Sequence, residues 1–183
     1  MSKVWITSDP HFGHANIIKY CNRPYKNVDH MNEQLIANYN YWIGDDDIVY
    51  CLGDFGMGDR NQLRRYKDRL VGRWNLICGN HDKYKPTDYM DIGFVWASRF
   101  PIIFNGFYML SHEPLFLENN SPYANLYGHT HQNSYQSKNQ NYYNCCVEQS
   151  SYLPIDFKTI QDHFYHIGFK SEKVQIVDIV KKN

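Results

Sequence analysis

Two short patterns in this sequence place metal-ligating side chains two residues apart, Asp9-Pro10-His11 and His129-Thr130-His131. On an extended chain residues i and i+2 project to the same face, so each pair is half of a binding site. Three apolar runs end in glycine followed by a polar donor, Gly53-Asp54, Gly79-Asn80 and Gly128-His129. Glycine permits a sharp turn and a close approach of backbone to a bound group, so three such strand ends aimed at one point would build a site. With His112 added, the set is Asp9, His11, Asp54, Asn80, His112, His129 and His131, a mix of oxygen and imidazole donors without thiolate. That mix suits Mn, Fe, Zn, Ni or Co and is too rich in nitrogen for a calcium or magnesium cage. One ion does not need so many donors. Two ions ~3.5–4 Å apart, bridged by a carboxylate, would use them all and would bind the attacking and leaving oxygens of an in-line displacement. Two dications also outweigh the carboxylates of Asp9 and Asp54, and the surplus charge is available to hydroxide and phosphate.

Taken in order, Asp9-x-His11, Gly53-Asp54, Gly79-Asn80-His81-Asp82, His112 and Gly128-His129-x-His131 resemble the signature blocks of the calcineurin-like metallophosphoesterase superfamily. The resemblance implies an α/β (α+β) fold, a four-layer αββα sandwich of two mixed β-sheets flanked by helices, with the motif residues on loops at strand ends. It is that of a small, uncapped member whose single domain takes up residues 1–183. The resemblance also implies two divalent metal ions, manganese favoured, with Asp9, His11 and His131 on the first, Asn80, His112 and His129 on the second, and Asp54 bridging. His81 is similar to the family histidine that ligates nothing and faces the leaving group, where a protonated imidazole serves as general acid. Asp82 is its expected orienter, with Asp59 in Gly58-Asp59-Arg60 as a rival if that loop folds back. The spacing from Asp54 to Arg60 is wider than in the family's protein-phosphatase branch, which counts against a protein phosphatase.

The expected activity is therefore that of a phosphoric ester hydrolase in which hydroxide activated by two metals attacks phosphorus. With little chain left for a cap, the site should be open and take a small phosphodiester or phosphomonoester, nucleotide-like, a phosphodiesterase being favoured over a protein phosphatase. The rival readings are a nuclease on short nucleic acid and a non-catalytic, metal-bound scaffold for protein partners. His81 speaks against the scaffold, because a histidine that ligates nothing has no evident use there. A structural zinc module would need closed sites with cysteine spacing that this chain lacks. Two further residues are expected to touch substrate: His14, beside the first ligand pair, and Arg60. His30, His163 and His166 read as ordinary structural histidines, and Arg60, Arg64, Arg65, Lys67 and Arg69 as the solvated face of a helix whose buried side carries Leu63, Tyr66 and Leu70. Phe12, Phe55, Tyr84, Phe116 and Tyr123 lie near ligands in sequence and are rim candidates, and the turn-rich stretch 113–125 is expected to wall the substrate pocket.

The elements that must hold these residues alternate between strand and helix in the first half. Strands are expected at Val4–Thr7, 47–52 and 75–78, and helices at 15–21, at 31–43 with Asp29 as N-cap, and at 61–71. Beyond Asp91 strands dominate. Residues 100–104 and 107–110 flank Asn105-Gly106, a strong hairpin signal, followed by strands at Ala124–Tyr127 and 142–147, a helix at 156–167 and an unassigned apolar segment at 174–180. Lys plus Arg and Asp plus Glu both total 19, so no overall field draws the protein to extended nucleic acid or an anionic membrane. No stretch approaches the ~20 apolar residues of a membrane span, and the N-terminus lacks the basic start and apolar core of a signal peptide. The five cysteines form no CxxC pair and are read as reduced and structural. A cytoplasmic protein is expected.

Overall fold

A computed structural model describes residues 2–118, 120–133 and 140–169; the apolar segment at 174–180 lies outside them. Two mixed sheets flanked by helices form the structure, as the sequence leads one to expect. The first sheet contains β1 (Val4–Thr7), β2 (Ile48–Cys51), β3 (Arg73–Ile77), β4 (Trp96–Ser98) and β9 (Ile155–Asp156), in the order β4-β3-β2-β1-β9. Its first four strands are parallel and β9 is antiparallel to β1. The second sheet has the order β5 (Ile102–Phe104), β6 (Tyr108–Leu110), β7 (Ala124–Tyr127), β8 (Tyr142–Asn144). Its β5–β6 hairpin turns at Asn105-Gly106, both at positive φ, and β6, β7 and β8 run parallel.

Side-chain alternation along the strands divides the interior in two. Trp5, Val49, Cys51, Trp74 and Leu76 face one buried cluster together with residues of α2 (Val28–Trp42), α3 (Arg60–Lys67) and α4 (Pro86–Ile92). Their neighbours Ile6, Leu52 and Ile77 face a second cluster, shared with Leu110 and Leu126 of the other sheet and with Phe157, Ile160 and Phe164 of α5 (Phe157–His166). Helix α2 buries Met31, Leu35, Ile36 and Tyr39, the i, i+4, i+8 stripe of an amphipathic helix.

Several boundaries differ from expectation for identifiable reasons. Helix α2 begins at Val28 and not beyond Asp29, because the Asn27 side chain accepts from His30 N at 2.8 Å and so caps the helix two residues earlier. The helix at 15–21 shrinks to α1 (Ile17–Tyr20). The strand at 142–147 ends at Asn144; beyond it Cys146 bridges Ser8 and residues 147–149 form a 3-10 turn. Helix α4, unforeseen, starts with Pro86 in its first turn and stops at Gly93, whose φ of +124° only glycine adopts readily.

The two clusters give a direct test. Trp74 is fully buried and stacks edge-on to Tyr39 and Phe55. Trp74→Ala should lower unfolding free energy by about 3–5 kcal/mol, whereas Phe116→Ala, at a side chain 82% exposed, should shift it by no more than about 0.5 kcal/mol. Urea titration of both variants checks this, and a comparable loss in the two would contradict the assignment of Trp74 to the core.

Candidate metal centre and active site

Every motif residue sits where a strand has just ended. Asp9 and His11 follow β1, Asp54 follows β2, Asn80 follows β3, His112 follows β6, and His129 and His131 follow β7. Because β1–β3 run parallel, and β6 runs parallel to β7, their carboxyl ends share one edge of each sheet, where ligands bind in open α/β sheets. The loops are sewn together by Asp9 N to Gly53 O (3.0 Å), His11 N to Asp54 O (3.1 Å) and Gly128 N to His112 O (2.8 Å). Glycine is required at two of these turns. Gly53 has φ +101° and a Cβ there would strike the His112 ring, while a Cβ on Gly128 would collide with Ser8 and Asp9. Non-glycine residues are strained here as well. Asp9, His11, Asp54, His129 and His131 all have φ between +51° and +67°, the left-handed region in which Asp, Asn and His are the most tolerated side chains. Concentration of such residues in one site is characteristic of a functional constraint.

The side chains converge. Asp9 Oδ2 is saturated, accepting from Ser8 Oγ (2.5 Å), His129 N (2.8 Å) and Cys146 Sγ (3.3 Å). Its other oxygen, Oδ1, is buried and unpartnered, as is His11 Nε2. These two atoms lie 3.7 Å apart, and His131 Nε2 is 3.9 Å from Asp9 Oδ1. Asp54 is built the same way. Its Oδ1 accepts from His81 N (2.8 Å), leaving Oδ2 between His11 Nε2 (3.5 Å) and His112 Nε2 (3.6 Å). Such separations are too long for hydrogen bonds yet suit donors that share a cation. Asp9, His11 and His131 form one group with ligand atoms mutually within 4.8 Å, and Asp9, Asp54 and His112 a second. Asn80 Oδ1 completes the second side, 2.9 Å from His112 Nε2 and 3.0 Å from His129 Nδ1.

The outer nitrogens are anchored, which fixes the inward ones. His112 Nδ1 donates to Leu52 O (2.8 Å) and His131 Nδ1 to Glu148 Oε1 (3.0 Å). Burial, with nearby cationic groups, pushes the His11 imidazole far below its ordinary value, so it stays neutral and able to ligate. Burial also raises the Asp54 carboxyl, opposed by the neighbouring histidines. A divalent cation would relieve both conditions, and the orphaned Oδ1 of Asp9 and Nε2 of His11 are the atoms that would meet it. The donor set therefore fits the expected metals.

His81 stands beside the cluster. Its ring centroid is 5.3 Å from that of His11, edge-on, and it lines a cavity of about 140 Å3 together with Lys83, Tyr84 and residues 56–58. His14 lies beside them, its Nδ1 3.3 Å from His11 Nδ1 and its ring 5.7 Å from His81, and burial lowers its pKa. On the other side Asn80, His112, Arg99 and, from the 113–125 stretch, Glu113 and Leu115 line a cleft of about 300 Å3.

Four expectations need correction. Asp82 does not orient His81: it is buried and accepts from Asp54 N (2.8 Å), Phe55 N (3.2 Å), Gly79 N (2.8 Å) and the Tyr89 hydroxyl (3.3 Å). It fastens the β2 and β3 loops to each other, and burial pushes its carboxyl up to about 7 against the pull of those N–H groups. Asp59 does not reach the site either, since it caps α3 through Gln62 N. Arg60 does not line the cavity; its guanidinium pairs with Asp88 at 2.8 Å and lies over the Tyr84 ring. Phe12 and Phe55 are fully buried and belong to the core. Sequence reasoning missed Ser8, Arg23, Cys146 and Glu148. No local signal marks them, because their contacts with Asp9 and His131 come from chain distant in sequence or from an ordinary serine.

Two sheets that bring carboxylates and imidazoles together on their strand-end loops define a metal-dependent phosphoesterase. The model of the calcineurin-like phosphoesterases matches residues 2–182, and the chain belongs to that family. An uncharacterized protein of Methanocaldococcus jannaschii is 36% identical over 175 residues, 87% of this chain and 90% of that protein. The gene 66 protein of Mycobacterium phage D29 is 39% identical over 89 residues, 47% of this chain and 43% of that one. The crystal structure of a protein of unknown function from Aquifex aeolicus has the same fold, with TM-score 0.68 at 24% identity over 88% of this chain and 99% of the other. No helix among the described residues is long and apolar enough to cross a membrane.

Asp82→Asn tests the corrected role. The replacement turns one acceptor oxygen into a donor facing N–H or O–H groups, and each buried donor left unsatisfied costs about 1–3 kcal/mol. The variant should melt well below wild type and bind metal more weakly, by thermal denaturation with and without Mn. Wild-type melting with a changed leaving-group dependence would return Asp82 to the chemistry.

Proposed function

We propose that the protein hydrolyses a small, nucleotide-like phosphate ester, a diester in preference to a monoester, with two divalent ions, manganese favoured. The observation that carries this reading is the pair of buried carboxylates, each with one oxygen committed to the protein and the other facing imidazole nitrogens. In the proposed assignment Asp9, His11 and His131 hold one ion, Asn80, His112 and His129 the other, and Asp54 both. Bound there, the ions would supply hydroxide at neutral pH and counter-charge for phosphate. The protein's own groups do the rest. His81 stands next to the donors with its ring toward the 140 Å3 cavity, where a departing ester oxygen can take its proton. His14 adds a second imidazole on that side. Cavities on both sides of the donors give room for two ester arms, which favours a diester. The balance of charge argues against extended nucleic acid. The five cysteines are all unpaired, which suits a reducing compartment, and we place the protein in the cytoplasm.

Chelation should abolish hydrolysis of an aryl phosphodiester, and Mn, Ni or Co should restore it; full activity after verified metal removal would contradict the reading. Asp54→Ala should bind fewer metal equivalents than His11→Ala or His112→Ala, by elemental analysis, whereas equal content in all three would overturn the bridging role.

His81→Ala separates acid catalysis from metal binding. It should retain both ions and the fold. General-acid help contributes about 10²–10⁴-fold and matters most for a poor leaving group, so the variant should keep more of its rate on a nitrophenyl ester than on an alkyl or nucleoside ester. Equal slowing on both would assign His81 to stabilising phosphoryl charge.

A further inference from the structure

Outside the motifs, one buried ion pair touches the metal centre from behind. Arg23 follows the short α1, and its side chain is wholly buried. Its Nη2 donates to Asp9 O (2.8 Å) and its Nη1 to Pro10 O (2.8 Å). Nε and Nη2 both donate to Glu148 Oε1, at 2.9 and 2.7 Å. That same oxygen accepts from His131 Nδ1 at 3.0 Å. Glu148 lies in the 3-10 turn that follows Cys146, and Cys146 itself bridges Ser8 and donates to Asp9 Oδ2. One planar guanidinium therefore joins the first motif, by its backbone, to the last motif, through a carboxylate.

We infer that Arg23 and Glu148 are positioning residues that set the affinity of the Asp9–His11–His131 site, and leave the Asn80–His112–His129 site to other supports. The inference rests on the metal centre proposed above. The asymmetry is visible in the contacts. His112 is anchored by Leu52 O, and Asn80 faces His112 and His129; none of these three is bonded to Arg23 or Glu148. A carboxylate accepting from the outer ring N–H of a ligating histidine fixes the tautomer and makes the inward nitrogen a better donor, and losing such a group costs about 10–100-fold in metal affinity. Arginine is needed because only its fork reaches two carbonyls and a carboxylate in one plane. A lysine, with a compact ammonium, can satisfy a part of this set.

The pair could instead act only as a staple of the fold, and binding measurements separate the two roles. Full-length, chelator-treated protein is titrated with Mn by calorimetry, and the event lost in His131→Ala marks the first site. Glu148→Gln, which keeps shape and one acceptor oxygen, should weaken that event about 10–100-fold and leave the other unchanged, even though the metal-free protein melts lower because buried Arg23 loses its partner. Arg23→Lys should weaken the same event. The double variant Arg23→Met/Glu148→Gln should regain part of the affinity lost in Glu148→Gln, because it removes an unpaired buried cation from the neighbourhood of the metal. Equal weakening of both events would show a staple and overturn the inference, as would unchanged affinity. The readout is binding, so a protein that takes up two ions and hydrolyses no ester would refute the proposed activity and leave this result standing.

Discussion

Two carboxylates, Asp9 and Asp54, are almost wholly inaccessible and lie close enough for one histidine, His11, to face both. Burying like charges together is expensive unless a cation or hydrogen bonds compensate. In each residue one oxygen is compensated by the protein, Oδ2 of Asp9 by Ser8, His129 and Cys146, and Oδ1 of Asp54 by His81. The remaining oxygen of each faces imidazole nitrogens, and burial keeps the one shared by both, His11, neutral. Such half-satisfied acids are what a strongly charged ligand requires and what a purely structural core avoids.

Holding this arrangement strains the backbone. Five of the proposed ligands adopt left-handed conformations, each costing on the order of 1–3 kcal/mol. The strain is confined to the loops beyond the strand ends, and the strands themselves are regular. Two buried clusters on opposite faces of the first sheet offset it, so the edge bearing the site is strained while the layers behind it are well packed. Asp82, bonded to Asp54 N, Phe55 N and Gly79 N, transmits that rigidity from the β3 loop to the β2 loop.

Much of this was legible in sequence because it depends on short-range spacing. The Asp9 and His11 pair, the Gly-polar strand ends and the His129 and His131 pair all lie within a few residues of the strands that carry them, and the structure brings all seven donors together. The hairpin at Asn105-Gly106 was legible for the same reason. What escaped depends on long-range contact. Arg23 and Glu148 are 125 residues apart, and neither has a neighbour that signals its role. Asp82 beside His81 suggested a catalytic pair, but adjacent residues seldom face each other, and its carboxylate turned to backbone N–H groups instead. The missed α4 did carry local signals, Pro86 at its start and Gly93 at its end, whereas β4, with three residues, is too short for periodicity to reveal.

On the proposed reading, the two half-satisfied carboxylates are shared by a pair of metal ions. Anomalous diffraction from crystals grown with Mn, recorded on both sides of the metal absorption edge, tests it most directly. Two peaks are expected, one bounded by Asp9, His11 and His131, the other by Asn80, His112 and His129, with an oxygen of Asp54 between them. A single peak, or two peaks with Asp54 directed away from both, would contradict it.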